Sequence, residues 1–154
     1  MGSEMCIRDR IGVASHLFTS HPESAQAALS SAYVAEFFED YELSEEWVSS
    51  ALSLRPGWEL AAQMRAKILA SQGKDKERAD FVESYAKANP QSIVMQLNYA
   101  AEMVRAGNAD LAYEHVLSVL KTAPKDIDAL QYACLLYTSP SPRDLSTSRM
   151  PSSA

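Results

Sequence analysis

The chain has 154 residues, a formal charge of −6, and 47% hydrophobic against 22% charged residues, the balance of an ordinary globular chain. That length suits one compact domain or a short repeat array. An acidic chain without a basic cluster repels phosphate backbones, which counts against nucleic acid as a partner; no apolar run approaches the roughly 20 residues needed to span a bilayer.

Residues 1–10, MGSEMCIRDR, come first and pair with residues 134–154 at the other end. Both resemble translations of one sequencing-library adapter. Reading one strand from a GTG start gives Met1 through Arg10, and its reverse complement gives CLLYTSPSPRD, Cys134 through Asp144. Leu145, Ser146 and Thr147 then fall where a variable index would lie, and SRMPSSA at 148–154 matches the next constant stretch. Residues 1–10 and 134–154 are therefore set aside as non-native. The only cysteines, Cys6 and Cys134, lie in these ends and argue for no disulfide, metal or redox site. Residues 11–133 hold 10 Lys and Arg against 17 Asp and Glu, a formal charge of −7.

Residues 11–21 read as the end of a helix. Prolines then stand at 22, 56, 90 and 124, at strictly equal intervals. Each proline excludes its predecessor from the helical region and marks a boundary, and the sequence between two prolines reads as two helices. Residues 58–72 are rich in Ala, Leu and Met and stop at Gly73. Residues 75–88 place Phe81, Val82 and Tyr85 at helical spacing. Ser92 can cap a helix to about Ala106; Gly107 stops it, and Asn108 can cap residues 109–122. Asp126 to Ala133 opens another helix, which the apolar Cys134 to Tyr137 can extend. Residues 138–154, rich in Ser and Pro without periodicity, are expected to be disordered.

The constant period and the helix–turn–helix plan resemble the tetratricopeptide repeat (TPR), whose unit is about 34 residues long. With each proline set at the family's closing proline, the repeats run 25–58, 59–92 and 93–126. The small residue that lets paired helices approach falls on Ala32, Ala66 and Ala100. The turn glycine falls on Gly73 and Gly107, with Glu39 in the first repeat. Residues 40–56 resemble the family's second helix and its exit. The small second-helix residue is Ser44 or Ala112, whereas Arg78 in the middle repeat suggests a local shift of register. The family's first-helix aromatic is absent: Ala28, Ala62 and Gln96 stand there. The resemblance implies an all-α fold, a right-handed α-solenoid of antiparallel helix hairpins, with about three full repeats over residues 11–133 and partial helices at both ends. Residues 11–21 then belong to an earlier repeat's second helix, and the array reads as an interior piece of a longer solenoid. Uncapped ends of such an array expose apolar faces, which gives self-association a physical route.

No catalytic constellation stands out, and the chain is read as a non-enzyme without cofactor or metal. His16, His21 and His115 make no metal-ligand spacing. There is no Gly-x-Ser-x-Gly elbow and no Gly-rich phosphate loop. The acidic run Glu39, Asp40, Glu42, Glu45, Glu46 spans a turn and a helix start, where the helix dipole favours carboxylates.

The resemblance implies that the chain binds a protein or peptide partner in a concave groove lined by first helices. On this alignment the groove positions are Gln26, Leu29, Tyr33 and Phe37, then Gln63 and Lys67, then Val94, Asn98 and Ala101. A Tyr/Phe pair beside Gln, Lys and Asn suits a peptide with an apolar anchor and backbone hydrogen bonds. Tyr33 and Phe37 are equally readable as core, in common with Phe38, Tyr41 and Trp47. Some TPR domains clamp a C-terminal carboxylate; only Lys67 and Asn98 lie on such positions, and the other basic residues are absent. Two further readings are the docking or regulatory arm of a larger enzyme, a peptidase or transferase, and RNA binding by a related helical repeat. The −7 charge and sparse groove lysines disfavour RNA.

Overall fold

The structure, a computed structural model, describes residues 2–138, with side chains from Cys6 onward. Every regular element among them is helical: α1 (Gly2–Ser20), α2 (Ala25–Phe37), α3 (Tyr41–Leu54), α4 (Glu59–Ser71), α5 (Asp75–Ala88), α6 (Ile93–Arg105), α7 (Ala109–Thr122) and α8 (Ile127–Thr138). The proline period is kept throughout. First helices α2, α4, α6 and α8 begin at 25, 59, 93 and 127, and second helices α3, α5 and α7 at 41, 75 and 109. Two compact units result, one through Asn89 holding α1–α5 and one from Pro90 holding α6–α8.

Local chemistry sets the helix ends. Ser24 accepts the Ala27 amide at 3.2 Å, Asp40 that of Leu43 at 3.2 Å, Ser92 that of Met95 at 3.4 Å, and Asp126 that of Ala129 at 2.9 Å. Each satisfies one donor that a helix start leaves without an intrahelical partner. Asn108, expected to cap α7, makes no such side-chain bond. Within each hairpin the chain reverses over three residues. The middle one has positive φ: 61° at Glu39, 70° at Gly73 and 83° at Gly107. In that conformation the next amide reaches back into the helix: Asp40 to the Ala35 carbonyl, Lys74 to Leu69 and Asn108 to Met103, all at 2.9 Å. Glu39 adopts the turn that its two counterparts make with glycine, against the clash between Cβ and carbonyl that usually reserves it for glycine.

In the first unit, α2 lies between α1 and α3, and its small side chains allow close approach. Ala28, Ala32 and Ala35 are fully buried, and the Ser44 hydroxyl of α3 donates to the Ala32 carbonyl at 2.8 Å. On the other side of α2, the Ser31 hydroxyl donates to the Ala14 carbonyl of α1 at 2.8 Å. Trp47 and Val48 of α3 complete the core, with the Phe18 ring 5.9 Å from that of Trp47. Truncating a buried tryptophan typically costs about 3–5 kcal/mol, so Trp47 is a principal anchor of this unit. In the second unit Ala100, Ala112, Val116 and Ala133 form the core. There Gln96, in the position of Ala28 and Ala62, is buried and meets His115 Nε2 at 2.9 Å, with Tyr99 edge-on to the imidazole.

Two expectations change. The register does not shift at Arg78: α5 starts one full period after α3, and buried Val82 and Tyr85 hold the places of Val48 and Ala51. Arg78 is accommodated by turning its guanidinium onto Asp75 at 2.6 Å. Residues 11–20 form the last turns of α1, as expected, and this helix continues across Ile11 from Gly2. Thr138, expected to open the disordered tail, lies in α8, which also contains Cys134–Tyr137; residues 139–154 lie outside the described residues.

Two outcomes follow for stability. Glu39→Gly relieves the left-handed conformation and stabilises the chain by about 1 kcal/mol, read as a higher thermal midpoint; an unchanged or lower midpoint contradicts the strain. Burial pushes the His115 pKa below its ordinary 6.5, so the unfolded chain binds this proton more readily. The His115 contribution is whole above pH 6.5 and declines as pH falls from there toward the depressed folded pKa. The midpoint of the wild type therefore falls as acid is added through that window, and His115→Gln flattens this part of the curve.

Candidate functional site

In the first unit, the wall formed by the first helices rests on α2 and α4. Tyr33 and Phe37, one turn apart on α2, are 42% and 75% exposed, so neither belongs to the core. Phe37 makes an edge-on contact with Phe38, their centroids 5.2 Å apart. Phe38 and Tyr41 are half-buried, and of the five aromatic residues of this hairpin only Trp47 is fully enclosed. Lys67 of α4 crosses to Glu36 of α2 at 2.8 Å. The hydrogen bond and charge of Glu36, with smaller contributions from Tyr33 and Tyr41, raise the Lys67 pKa. Gln63, one turn before Lys67, bonds Glu59 of its own helix at 3.4 Å. An aromatic pair, a cation with its counter-ion and an amide thus share this face.

Gln26 is exposed on α2. Leu29 is not a groove residue: at 1% exposure it lies in the cluster that includes Ala61, Met64 and Ile68. Its spacing of four from Tyr33 places it on the same stripe, but its end of α2 is covered where that of Tyr33 is open. In the second unit Val94, Asn98 and Ala101 share one face of α6; Val94 is 37% exposed, and Asn98 and Ala101 are half-buried. The Asn98 amide turns onto the Met95 sulfur at 3.6 Å.

An open apolar groove of 480 Å³ runs between α1 and α2, lined by Arg10, Val13, Leu17, Tyr33, Val34 and Phe37 among others. The α1 side of this groove was not foreseen, although a signal for it exists. Val13 and Leu17 stand one period before Trp47 and Ala51, both buried. Glu36 was also missed; its role depends on Lys67, two helices further along the chain, which no local pattern indicates. In the acidic run Asp40 caps α3, and Glu45 bonds Lys74 at 2.8 Å. Burial opposes charging of Glu45, but the hydrogen bond and charge of Lys74 outweigh it and lower its pKa.

No protein-family model and no curated protein matches the sequence. Solved structures do. MamA superimposes with a TM-score of 0.66 at 14% identity, over 95% of this chain and 85% of that one. YrrB, described as a TPR protein with an unusual peptide-binding site, gives 0.58 at 17% identity over 88% and 70%. The chain has the tetratricopeptide-repeat fold. A third TPR protein, TTC0263 of Thermus thermophilus, gives 0.64 at 15% identity over 88% and 75%. At such identities the TPR likeness is one of architecture, carried by helix length, turn length and period.

The exposure of the Lys67 side chain, 66% against 21% for Glu36, makes their pair a solvent-screened one. Glu36→Gln accordingly leaves the thermal midpoint nearly unchanged, and a large drop would show that the pair holds α2 and α4 together.

Proposed function

We propose that this TPR-fold chain is a protein-interaction scaffold that holds a peptide or helix of another protein against the groove faces of its first helices. Gln26, Tyr33 and Phe37 of α2 and Gln63 and Lys67 of α4 supply one wall, and Val94, Asn98 and Ala101 form the corresponding face of α6. Leu29 supports the wall from the core. The observation that carries this reading is the exposure of Tyr33 and Phe37, two large aromatics one turn apart and both outside the core. Exposed apolar clusters rimmed by polar groups mark binding surfaces, and buried aromatic anchors dominate interface energetics. The peptide-binding site for which YrrB is described supports the same use of the fold.

The ligand that fits presents one bulky apolar side chain to Tyr33 and Phe37, with backbone amides within reach of Gln26 and Gln63. A carboxylate on the peptide competes with Glu36 for Lys67. A helix lying in the groove would offer its anchors at i, i+3 and i+4 instead.

The test is selection of binders from a displayed random-peptide library, followed by calorimetric titration of the synthesised peptides. The expected peptides share an apolar anchor, and Tyr33→Ala and Phe37→Ala each weaken binding by about tenfold or more with unchanged circular dichroism. Absence of binders, or binders indifferent to both substitutions, removes the reading.

A further inference from the structure

The Glu36–Lys67 pair lies between α2 and α4, away from either end of the array, and its two members are not equivalent. The Lys67 side chain is 66% exposed and that of Glu36 only 21%. When a ligand takes the place of Lys67, the long lysine stem swings its ammonium into water at little cost. When a ligand takes the place of Glu36, a short, half-buried carboxylate loses its counter-ion and must be solvated where it stands. The pair therefore exchanges its cation more readily than its anion. Tyr33 neighbours both Glu36, three residues on, and Phe37, four residues on, along the same helix. Tyr33 and Tyr41 also act on Lys67, after the larger effects of Glu36, so two phenols stand near the same pair.

The charge around this pair has one sign. Residues 25–58, the hairpin that carries Tyr33, Glu36 and Phe37, hold six Asp and Glu against Arg55 alone, a formal charge of −5. Residues 59–92 hold five against six, a formal charge of +1, so the acidity is concentrated where the exposed aromatics stand. Such a field draws in a cationic partner and repels an anionic one. The chain itself lays arginines on aromatic faces: the Arg65 guanidinium is 4.7 Å from the centre of the Phe81 ring, and that of Arg55 5.1 Å from Trp58. Resting on the scaffold function proposed for this groove, we propose that its first unit selects a peptide segment carrying an arginine. The arginine guanidinium replaces the Lys67 ammonium on Glu36 and lies against Tyr33, while the apolar residue of the same peptide packs on Phe37, the more exposed ring. Arginine suits the place better than lysine, because its planar fork binds a carboxylate through two bonds while its face stacks on a ring.

The test titrates peptides selected from the displayed random library, keeping those that Tyr33→Ala or Phe37→Ala weakens. These peptides are expected to carry an arginine close to their apolar residue. Glu36→Gln weakens them about tenfold, and replacing that arginine by citrulline, its neutral isostere, does the same. Applied together, the two changes cost little more than either alone, because both remove one contact. Lys67→Gln strengthens binding by about threefold, since Glu36 then has no rival cation. Circular dichroism establishes that each variant folds. Groove-dependent peptides that Lys67→Gln weakens and Glu36→Gln strengthens overturn the proposal in favour of a carboxylate ligand and leave the scaffold reading standing. Groove-dependent peptides indifferent to Glu36→Gln overturn it in the same way. Absence of any peptide sensitive to Tyr33 and Phe37 removes both readings at once.

Discussion

Every hairpin of this chain depends on a reversal completed in three residues. So short a turn is open only to a backbone that enters the left-handed region at its middle position, where the following amide returns to a carbonyl near the helix end. With the reversal fixed, the paired helices must lie antiparallel and close, and closeness then selects small side chains. Ala28, Ala32 and Ala35 of α2 meet α3, and a serine hydroxyl reaches a main-chain carbonyl between them. The four-residue links between hairpins add the second constraint, and three- and four-residue connections alternate without exception from α1 to α8. The conformation of Glu39 shows which demand wins when they conflict: the turn is kept, and the side chain bears the strain.

Much of this was legible because it is local and periodic. Prolines at constant spacing, Gly73 and Gly107, and caps such as Ser92 act within a few residues of themselves, so α5 and α7 can be placed to the residue. Where the reading failed, the deciding partner was out of view. Arg78 suggested a slipped register because its bulk does not suit a helix seam, and the remedy, an ion pair with Asp75, is a rotamer choice that a pattern does not display. Leu29 and Tyr33 occupy one stripe of α2, yet one is enclosed and the other open. Only the reach of neighbouring helices separates them.

The candidate site follows the same division. That Tyr33, Phe37 and Lys67 stand on first helices could be read from the repeat alignment. That both aromatics would be exposed, and that Lys67 would already hold Glu36 as a counter-ion, could not. The ion pair changes the character of the proposed wall: a ligand carboxylate could reach Lys67 only by displacing Glu36. Specificity at such a position comes from the difference between two carboxylates rather than from charge alone.

The order in which helices pack has a consequence for how the first unit breathes. α3 is flanked by α2 and α4, whereas α1 packs mainly on α2, with Phe18 alone reaching Trp47 of α3 among the ring contacts. Amide protons of α3 can therefore exchange with solvent only when neighbours on both sides let go, whereas α1 can peel away and leave the α2–α3 pair intact. Exchange protection would then be graded along the chain, greatest on Val48 and Ala51 and least on the outward turns of α1, so that the helix whose apolar face is least covered is also the most readily released.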